Sequence, residues 1–149
     1  MKRYTILALV FGFVTAFTSC SLDDDSNYIG NEIIPIESVE IPAHFIFGES
    51  YEIEITYNRP STCYQFYNFL YEINENERTV AIINSVYNNS NCVQEEESVT
   101  VILTFLVTET ETNLFKFYQG LDEQGVDQYY LVEVPVLNER PTSDAILLD

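Results

Sequence analysis

The chain has 149 residues, of which 24 are aspartate or glutamate and only six are lysine or arginine, so its formal net charge is −18. A surface this negative repels the phosphate backbones of DNA and RNA, which excludes nucleic acid as a partner. Eleven tyrosines, ten phenylalanines, no tryptophan and five glycines favour pleated sheet over helix.

The first twenty residues predict an export signal. Residues 1–3 (MKR) are basic at two positions, and residues 4–17 (YTILALVFGFVTAF) are mostly apolar and uncharged. That stretch is shorter than the roughly 20 residues of a membrane span but suits a signal peptide. The following Thr18, Ser19 and Cys20 resemble the bacterial lipobox, which implies removal of residues 1–19 and acylation (palmitate) of Cys20. Ordinary cleavage nearby, with Cys20 left as a thiol, is the alternative.

An acidic run follows this cysteine. The segment "CSLDDD" resembles the surface-export signal of Bacteroidota lipoproteins, with Asp23, Asp24 and Asp25 as its acids. The resemblance implies a lipid anchor in the outer membrane and display on the cell surface, with periplasmic orientation left open. Alternatively, three aspartates simply keep a tether solvated. Residues 20–35 are predicted to form this lipidated tether, with a reach of about 50 Å when fully stretched.

Cysteine arithmetic supports the anchor. The chain has three cysteines, and if Cys20 carries lipid, Cys63 and Cys92 remain as a pair. In an oxidising compartment a disulfide between them would close a loop of about 30 residues and constrain the unfolded chain by roughly 3 to 4 kcal/mol. We therefore predict a Cys63–Cys92 bridge.

Removing residues 1–19 leaves 130 residues, which suits one domain, predicted over residues 36–137. Residues 37–47 (ESVEIPAHFIF) predict a first strand, interrupted at Pro42, that leaves one sheet and joins another. Residues 62–73 and 77–87 predict a long hairpin about Asn74-Glu75-Asn76, whose asparagines tolerate left-handed turns. That pairing brings Cys63 opposite residues near Tyr87, a few positions before Cys92.

Period-two alternation predicts the remaining strands. It runs through residues 51–57 (YEIEITY), 98–108 (SVTVILTFLVT), 113–118 (NLFKFY) and 128–136 (QYYLVEVPV). Pro135 cannot donate to a ladder, so the last strand should lie at a sheet edge or break there. About seven strands without helical periodicity predict an all-β fold, an antiparallel immunoglobulin-like sandwich. Residues 138–149 form a tail, either frayed or lying along the sheet.

Several of these segments together resemble small surface lipoproteins of flavobacteria. They are "YEIEITYNRPSTC", "RTVAI", the second domain cysteine, "FKFYQG" and "QYYLVEVPV", and the similarity covers most of residues 36–137. The resemblance implies a β-sandwich at the cell surface and carries no catalytic residue to this chain.

Catalytic chemistry is poorly represented. The chain has one histidine, His44, which we interpret as a partly exposed structural residue beside an early edge strand, and a single histidine cannot build a transition-metal site. Both domain cysteines belong to the predicted disulfide, and no phosphate loop or dinucleotide fingerprint occurs. We therefore predict no enzyme, no catalytic residue and no cofactor, although a catalytic carboxylate pair stays open among so many acids.

Two weaker site hypotheses remain. Residues 120–128 (GLDEQGVDQ) hold Asp122, Glu123 and Asp127 in a glycine-bearing loop, a donor set suited to calcium or equally an ordinary solvated loop. An aromatic face is the other hypothesis, and its four residues are Tyr64, Phe66, Tyr118 and Tyr129. Such a patch would bind protein or glycan. The alternative is that a loop or the tail covers these side chains, or that they scatter singly.

The function that these patterns favour is a non-enzymatic binding or accessory module, attached to the membrane through its acyl anchor and facing a protein or glycan partner. Two rivals stay open. One is a fimbrial or other structural surface subunit that polymerises by strand exchange, and the other is a small hydrolase.

Overall fold

A computed structural model describes residues 27–138, of which about two thirds lie in β-strands and none in an α-helix. The strands are β1 (Tyr28–Ile34), β2 (Ile36–Glu40), β3 (Phe45–Ile46), β4 (Ser50–Arg59), β5 (Tyr64–Asn74), β6 (Glu77–Tyr87), β7 (Glu97–Leu106), β8 (Asn113–Leu121), β9 (Asp127–Val134) and β10 (Val136–Leu137). The predicted signal peptide, the lipidation site Cys20, the three aspartates Asp23, Asp24 and Asp25, and residues 139–149 lie outside the described residues.

The larger sheet is organised around β6. Strand β5 pairs antiparallel with β6 along its whole length. Strand β1 pairs antiparallel with residues 82–87 of β6, and β8 pairs parallel with residues 77–80. Because a strand has only two edges, β1 and β8 share one edge of β6 end to end. Strand β9, antiparallel to β8, forms the far edge of this five-stranded sheet.

The second sheet has the order β2-β4-β7 and is antiparallel throughout. In β4 the buried Ile53, Ile55 and Tyr57 alternate with the exposed Glu52 and Glu54, so the period-two prediction is confirmed. The alternation fits a strand that covers a core with one face and meets water with the other. A third, two-stranded sheet pairs β3 with β10 in parallel.

The core lies between the two larger sheets. Its centre is Phe45, fully buried, whose ring lies 4.8 Å from Tyr51, 5.2 Å from Phe105 and 6.0 Å from Phe115 between centroids. Phe115 and Phe117 of β8 are also fully buried and stack at 5.7 Å. Aromatic clusters in such tilted and edge-on arrangements add to the stabilisation from buried apolar area. The prediction of an all-β sandwich is confirmed.

One side of the sandwich is closed by the chain itself. After β1 the chain turns at Pro35 and continues as β2 in the other sheet. Gly120 of β8 takes a φ of 99° beside this crossing, and a Cβ on it would lie 3.3 Å from Pro35 Cγ. Glycine is favoured at this position for two reasons, because it tolerates the left-handed φ and because it leaves room for the proline ring.

Two expectations need correction. The tether predicted over residues 20–35 is wrong for Tyr28–Ile34, which form β1. Residues 27–138 form ten strands instead of about seven, two of them only two residues long, and two strand pairs are parallel. The predicted break at Pro42 is confirmed, because β2 pairs with β4 whereas β3 pairs with β10 in another sheet; the chain also changes sheet earlier, at Pro35. An immunoglobulin-like strand order stays a prediction. Pro135 does separate β9 from β10, and β9 is an edge strand, as predicted.

The predicted hairpin and disulfide are both present. Strands β5 and β6 meet at Asn74 and Glu77, and the residue with positive φ in the turn is Glu75, at 54°, instead of an asparagine. At the other end of the hairpin the Tyr87 N–H donates to the Cys63 carbonyl at 3.1 Å. Cys63 and Cys92 form a disulfide with their Cα atoms 5.4 Å apart.

We expect reduction of this bridge, or the double variant Cys63→Ser/Cys92→Ser, to lower the free energy of unfolding by roughly 3 to 4 kcal/mol, because the unfolded chain regains the entropy of an open loop. Urea unfolding with and without reductant measures the difference. A loss below about 1 kcal/mol would contradict the account.

Candidate functional site

The side of the sandwich opposite the Pro35 crossing is open. Strands β5 and β7 form its two rims, and neither has a second strand partner among residues 27–138. Between them runs a groove of about 510 Å³. We call it the β5–β7 groove; its lining is Asn68, Phe69, Tyr71, Ile73, Arg78, Leu103, Thr104, Phe105, Leu106, Thr108 and Glu109.

The floor of the groove is largely apolar because each strand turns its inward face toward it. In β5, Phe69, Tyr71 and Ile73 pair with residues of β6 that point into the sandwich. In β7, Leu103 and Phe105 share the inward face. Ile73 remains 63% exposed at the rim. Grooves with an apolar floor and a few polar groups are typical binding sites.

The groove opens at one end into an acidic mouth, which we define by Glu75, Glu109 and Glu111 together with the exposed ring of Phe47. The mouth has a volume of about 440 Å³ and shares Thr108 and Glu109 with the groove. It lies at the β5–β6 turn, the end of the molecule opposite the disulfide. Glu109 is already paired with Arg78, and the negative charge of Glu75 and Glu111 favours a cationic group in whatever the groove holds.

Arg78 connects the groove to its mouth. Its side chain is only 3% exposed, and its guanidinium donates to the Glu75 carbonyl at 2.6 Å, to the Glu77 carbonyl at 3.0 Å and to Glu109 Oε2 at 2.8 Å. A buried charge needs such partners, because removing it from water is otherwise very costly. Arg78 therefore holds the β5–β6 turn against the loop that follows β7.

Two tyrosines near the core have perturbed titration. Burial raises the pKa of Tyr57 above its usual value, and the positive charge of Arg59 offsets this only in part. Burial likewise raises the pKa of Tyr71 in the groove, with Arg78 acting in the opposite direction. Both side chains therefore stay neutral hydroxyl groups at physiological pH and can act as hydrogen-bond donors.

A second depression, polar and smaller, lies beside the disulfide. It has a volume of about 260 Å³ and is lined by Asn27, Tyr28, Thr62, Cys63, Gln65, Tyr87, Asn89, Asn91 and Cys92. Its walls are amides, hydroxyls and two tyrosine rings 5.8 Å apart. It lies where the described chain begins, and the Asn88 N–H donates to the Asn27 carbonyl at 2.6 Å there.

The predicted aromatic face is divided. Tyr118 and Tyr129 do pair on the outer face of the five-stranded sheet, with ring centroids 5.9 Å apart, and share a shallow depression with Leu70. Tyr64 and Phe66 pair with Val86 and Asn84, whose side chains point into the sandwich, so these two rings lie on the opposite face. The four residues therefore do not form one surface.

The calcium hypothesis receives no support from the hairpin loop. Asp122 Oδ1 accepts the N–H groups of Gln124 and Val126 at 2.9 and 2.8 Å, and Oδ2 accepts from the Gln128 side chain at 3.2 Å. Asp122, Glu123 and Asp127 do not converge, since no group of three or more metal-ligating side chains occurs between residues 27 and 138. The carboxylate of Asp122 instead stabilises the turn.

His44 is exposed and does not line the β5–β7 groove. The sequence did not predict the groove. Its residues come from two strands, and the alternation pattern within a strand does not show which strands lie next to each other. One feature of the sequence did point to it. Arg78 lies two and four positions before Val80 and Ile82, so it belongs to the same buried face of β6. A charged residue on the inward face of a strand points to a partnered or functional site.

Comparison with protein-family models, with curated proteins and with solved structures finds no match to this chain. In the part of the chain that the structure describes, no helix is long and apolar enough to cross a membrane.

We expect Arg78→Met to lower the free energy of unfolding by about 1 to 3 kcal/mol, because the Glu75 and Glu77 carbonyls and the Glu109 carboxylate lose their donor. Arg59→Met is the matched control. Its side chain is 24% exposed and pairs with Glu97, which is 55% exposed, so it should cost less than about 1 kcal/mol. Urea unfolding at neutral pH measures both, and equal losses would contradict the role of Arg78.

Stability should also fall at alkaline pH. A tyrosine whose pKa is higher in the folded than in the unfolded chain stabilises the fold fully below about pH 10 and loses that contribution as the pH rises through the folded value. We therefore expect a shallower alkaline loss in Tyr57→Phe than in the parent chain. The exposed Tyr67, in Tyr67→Phe, is the control. Urea unfolding between about pH 8 and about pH 11 measures the slopes, and identical slopes in all three proteins would refute the prediction.

Proposed function

We propose that this chain is a lipid-anchored surface protein whose sandwich is a non-enzymatic binding module, and that the β5–β7 groove is its binding site. The observation that carries the proposal is the open groove between two strands whose outer edges are unpaired within residues 27–138. Unpaired edges offer backbone donors and acceptors to an extended chain, and the apolar floor offers pockets for its side chains. An extended peptide or protein segment is therefore the favoured ligand class.

The position of the groove relative to the anchor supports this role. If Cys20 is acylated, residues 21–27 form a tether that reaches at most roughly 30 Å before β1 begins at Tyr28. Strand β6 spans the distance between that end of the domain and the β5–β6 turn, about 33 Å at 3.3 Å per residue. The acidic mouth lies at that far turn, so the groove would open away from the bilayer.

A binding role is also supported over catalysis. The groove lining contains no histidine and no cysteine, and both domain cysteines are in the disulfide. Its polar groups are one buried arginine with its carboxylate partner, tyrosine and asparagine, and hydroxyls of threonine. These groups bind and orient but do not supply the nucleophile and base that hydrolysis needs.

The rival structural role shares one observation with this proposal. Open strand edges also suit a subunit that receives a segment of another copy. Concentration-dependent ladders of the purified chain on a non-denaturing gel would favour the structural subunit over the binding module.

We expect Cys20→Ser to abolish acylation and Asp23→Asn/Asp24→Asn/Asp25→Asn to leave acylation intact while removing surface display. Mass spectrometry of the mature N-terminus reports the acyl groups, and protease treatment of intact cells reports display. Glu95→Gln/Glu96→Gln/Glu123→Gln is the matched control, because it removes the same charge from exposed loop positions of the domain. Unmodified Cys20 in a protein released to the medium would contradict the anchor.

A further inference from the structure

The open side of the sandwich lacks a covering segment between residues 27 and 138, although much of its floor is apolar. Ile73 is 63% and Leu106 is 53% exposed at its rims, and the outer edges of β5 and β7 lack strand partners in the same part of the chain. Exposed strand edges beside apolar surface invite pairing with whatever extended chain is close by. One chain that is covalently joined to the domain is the protein's own continuation after Asn138.

The described chain leaves the domain at the acidic mouth. The Phe47 N–H donates to the Leu137 carbonyl at 3.0 Å, and Phe47 lines the mouth. The described chain therefore ends, at Asn138, one residue beyond a hydrogen bond to a residue of the acidic mouth. A segment attached at this point has an effective concentration in the millimolar range for the groove, which an unattached ligand would have to exceed.

The sequence of residues 139–149 is ERPTSDAILLD. Its basic residue complements the acidic mouth, and its apolar residues complement the floor of the groove. Arg140 is the second residue beyond Asn138, and the mouth at which the described chain ends is lined by the carboxylates Glu75, Glu109 and Glu111. Arg140 is one of four basic residues in residues 20–149, and contact between its charge and these carboxylates would be favourable. Five to eight residues farther on come Ala145, Ile146, Leu147 and Leu148, the apolar part of the segment.

The length and direction of the segment also fit. From Ile73 to Asn68 the β5 rim spans five residue steps, about 17 Å at 3.3 Å per residue. Residues 145–148 reach roughly 23 to 33 Å from Asn138 when extended, enough to cross the mouth and lie along this rim. Both β5 and β7 run toward the mouth, so a segment entering from it would run antiparallel to either edge.

We propose that residues 139–149 dock in cis into the β5–β7 groove as an extended strand, with Arg140 at the acidic mouth and Ala145–Leu148 over the apolar floor. The proposal rests on the proposed function insofar as the groove is the binding site. The segment then acts as an internal occupant that an external chain must displace, which would make ligand binding by the surface module competitive with its own C-terminal residues.

The test compares the full chain with a chain ending at Asn138, using a fluorescent synthetic peptide of residues 139–149 as the probe. We expect saturable binding to the shortened chain and at least tenfold weaker binding to the full chain, whose groove is already occupied. In the shortened chain, Ile73→Ser should weaken peptide binding by about tenfold. Leu131→Ser is the matched control, since Leu131 is 57% exposed on the outer sheet face, away from the groove, and it should leave binding unchanged.

A second measurement covers the case in which the shortened chain does not fold. In the full chain, Ile146→Ser/Leu147→Ser/Leu148→Ser should accelerate amide hydrogen exchange in residues 66–73 and 101–106 by releasing the segment. Unchanged hydrogen exchange in these residues would overturn the proposal. So would a shortened chain that folds but does not bind the peptide. Peptide binding that depends on self-association of the full chain would overturn docking in cis in favour of a second copy. These outcomes are independent of the experiments on Cys20 and surface display. Docking of residues 139–149 and anchoring through Cys20 can therefore be refuted separately.

Discussion

The crossing of the chain at Pro35 is the constraint on which the rest of the structure depends. Because β5 takes one whole edge of β6, β1 and β8 must share the other. Strand β1 cannot continue past the point where β8 begins, so the chain turns at Pro35 and enters the opposite sheet as β2. The crossing packs against Gly120 and closes that side of the sandwich. The other side, between β5 and β7, has no such crossing in residues 27–138.

Two arginines of the open side are held by ion pairs. Arg78 lies on the inward face of β6, where an apolar residue would be expected, and its guanidinium is held by two carbonyls and by Glu109. At the other end of the same side the Arg59 guanidinium pairs with Glu97 of the neighbouring strand β7. The Arg78–Glu109 pair thus lines the groove at its mouth, whereas the Arg59–Glu97 pair lies beyond its lining, and the apolar floor is available to a ligand.

The sequence predicted the elements whose pattern is local. Alternation identified β4, β7, β8 and β9, and the hairpin with its disulfide followed from Asn74–Asn76 and the two cysteines. Strand β1 was not predicted. Only Ile34 of this strand is buried, whereas Ile29 and Ile33 are exposed, so its sequence has no alternation of buried and exposed residues. The bulge between Phe66 and Asn68 shifted the face of β5, which is why the aromatic face was divided. The groove depends on which strands become edges, and pairing between distant segments decides that.

The lipid anchor, the β5–β7 groove and the C-terminal segment belong to one proposal, in which residue 20 attaches an acidic sandwich to the membrane and the groove faces away from the bilayer. Its central claim is that the β5–β7 groove holds an extended chain. A photo-crosslinking amino acid at position 73 of the full chain, compared with one at position 131, tests this most directly. The account predicts that position 73 forms an adduct with residues 139–149, identified by mass spectrometry, and that position 131 does not. Equal reaction of both positions with solvent alone would contradict it.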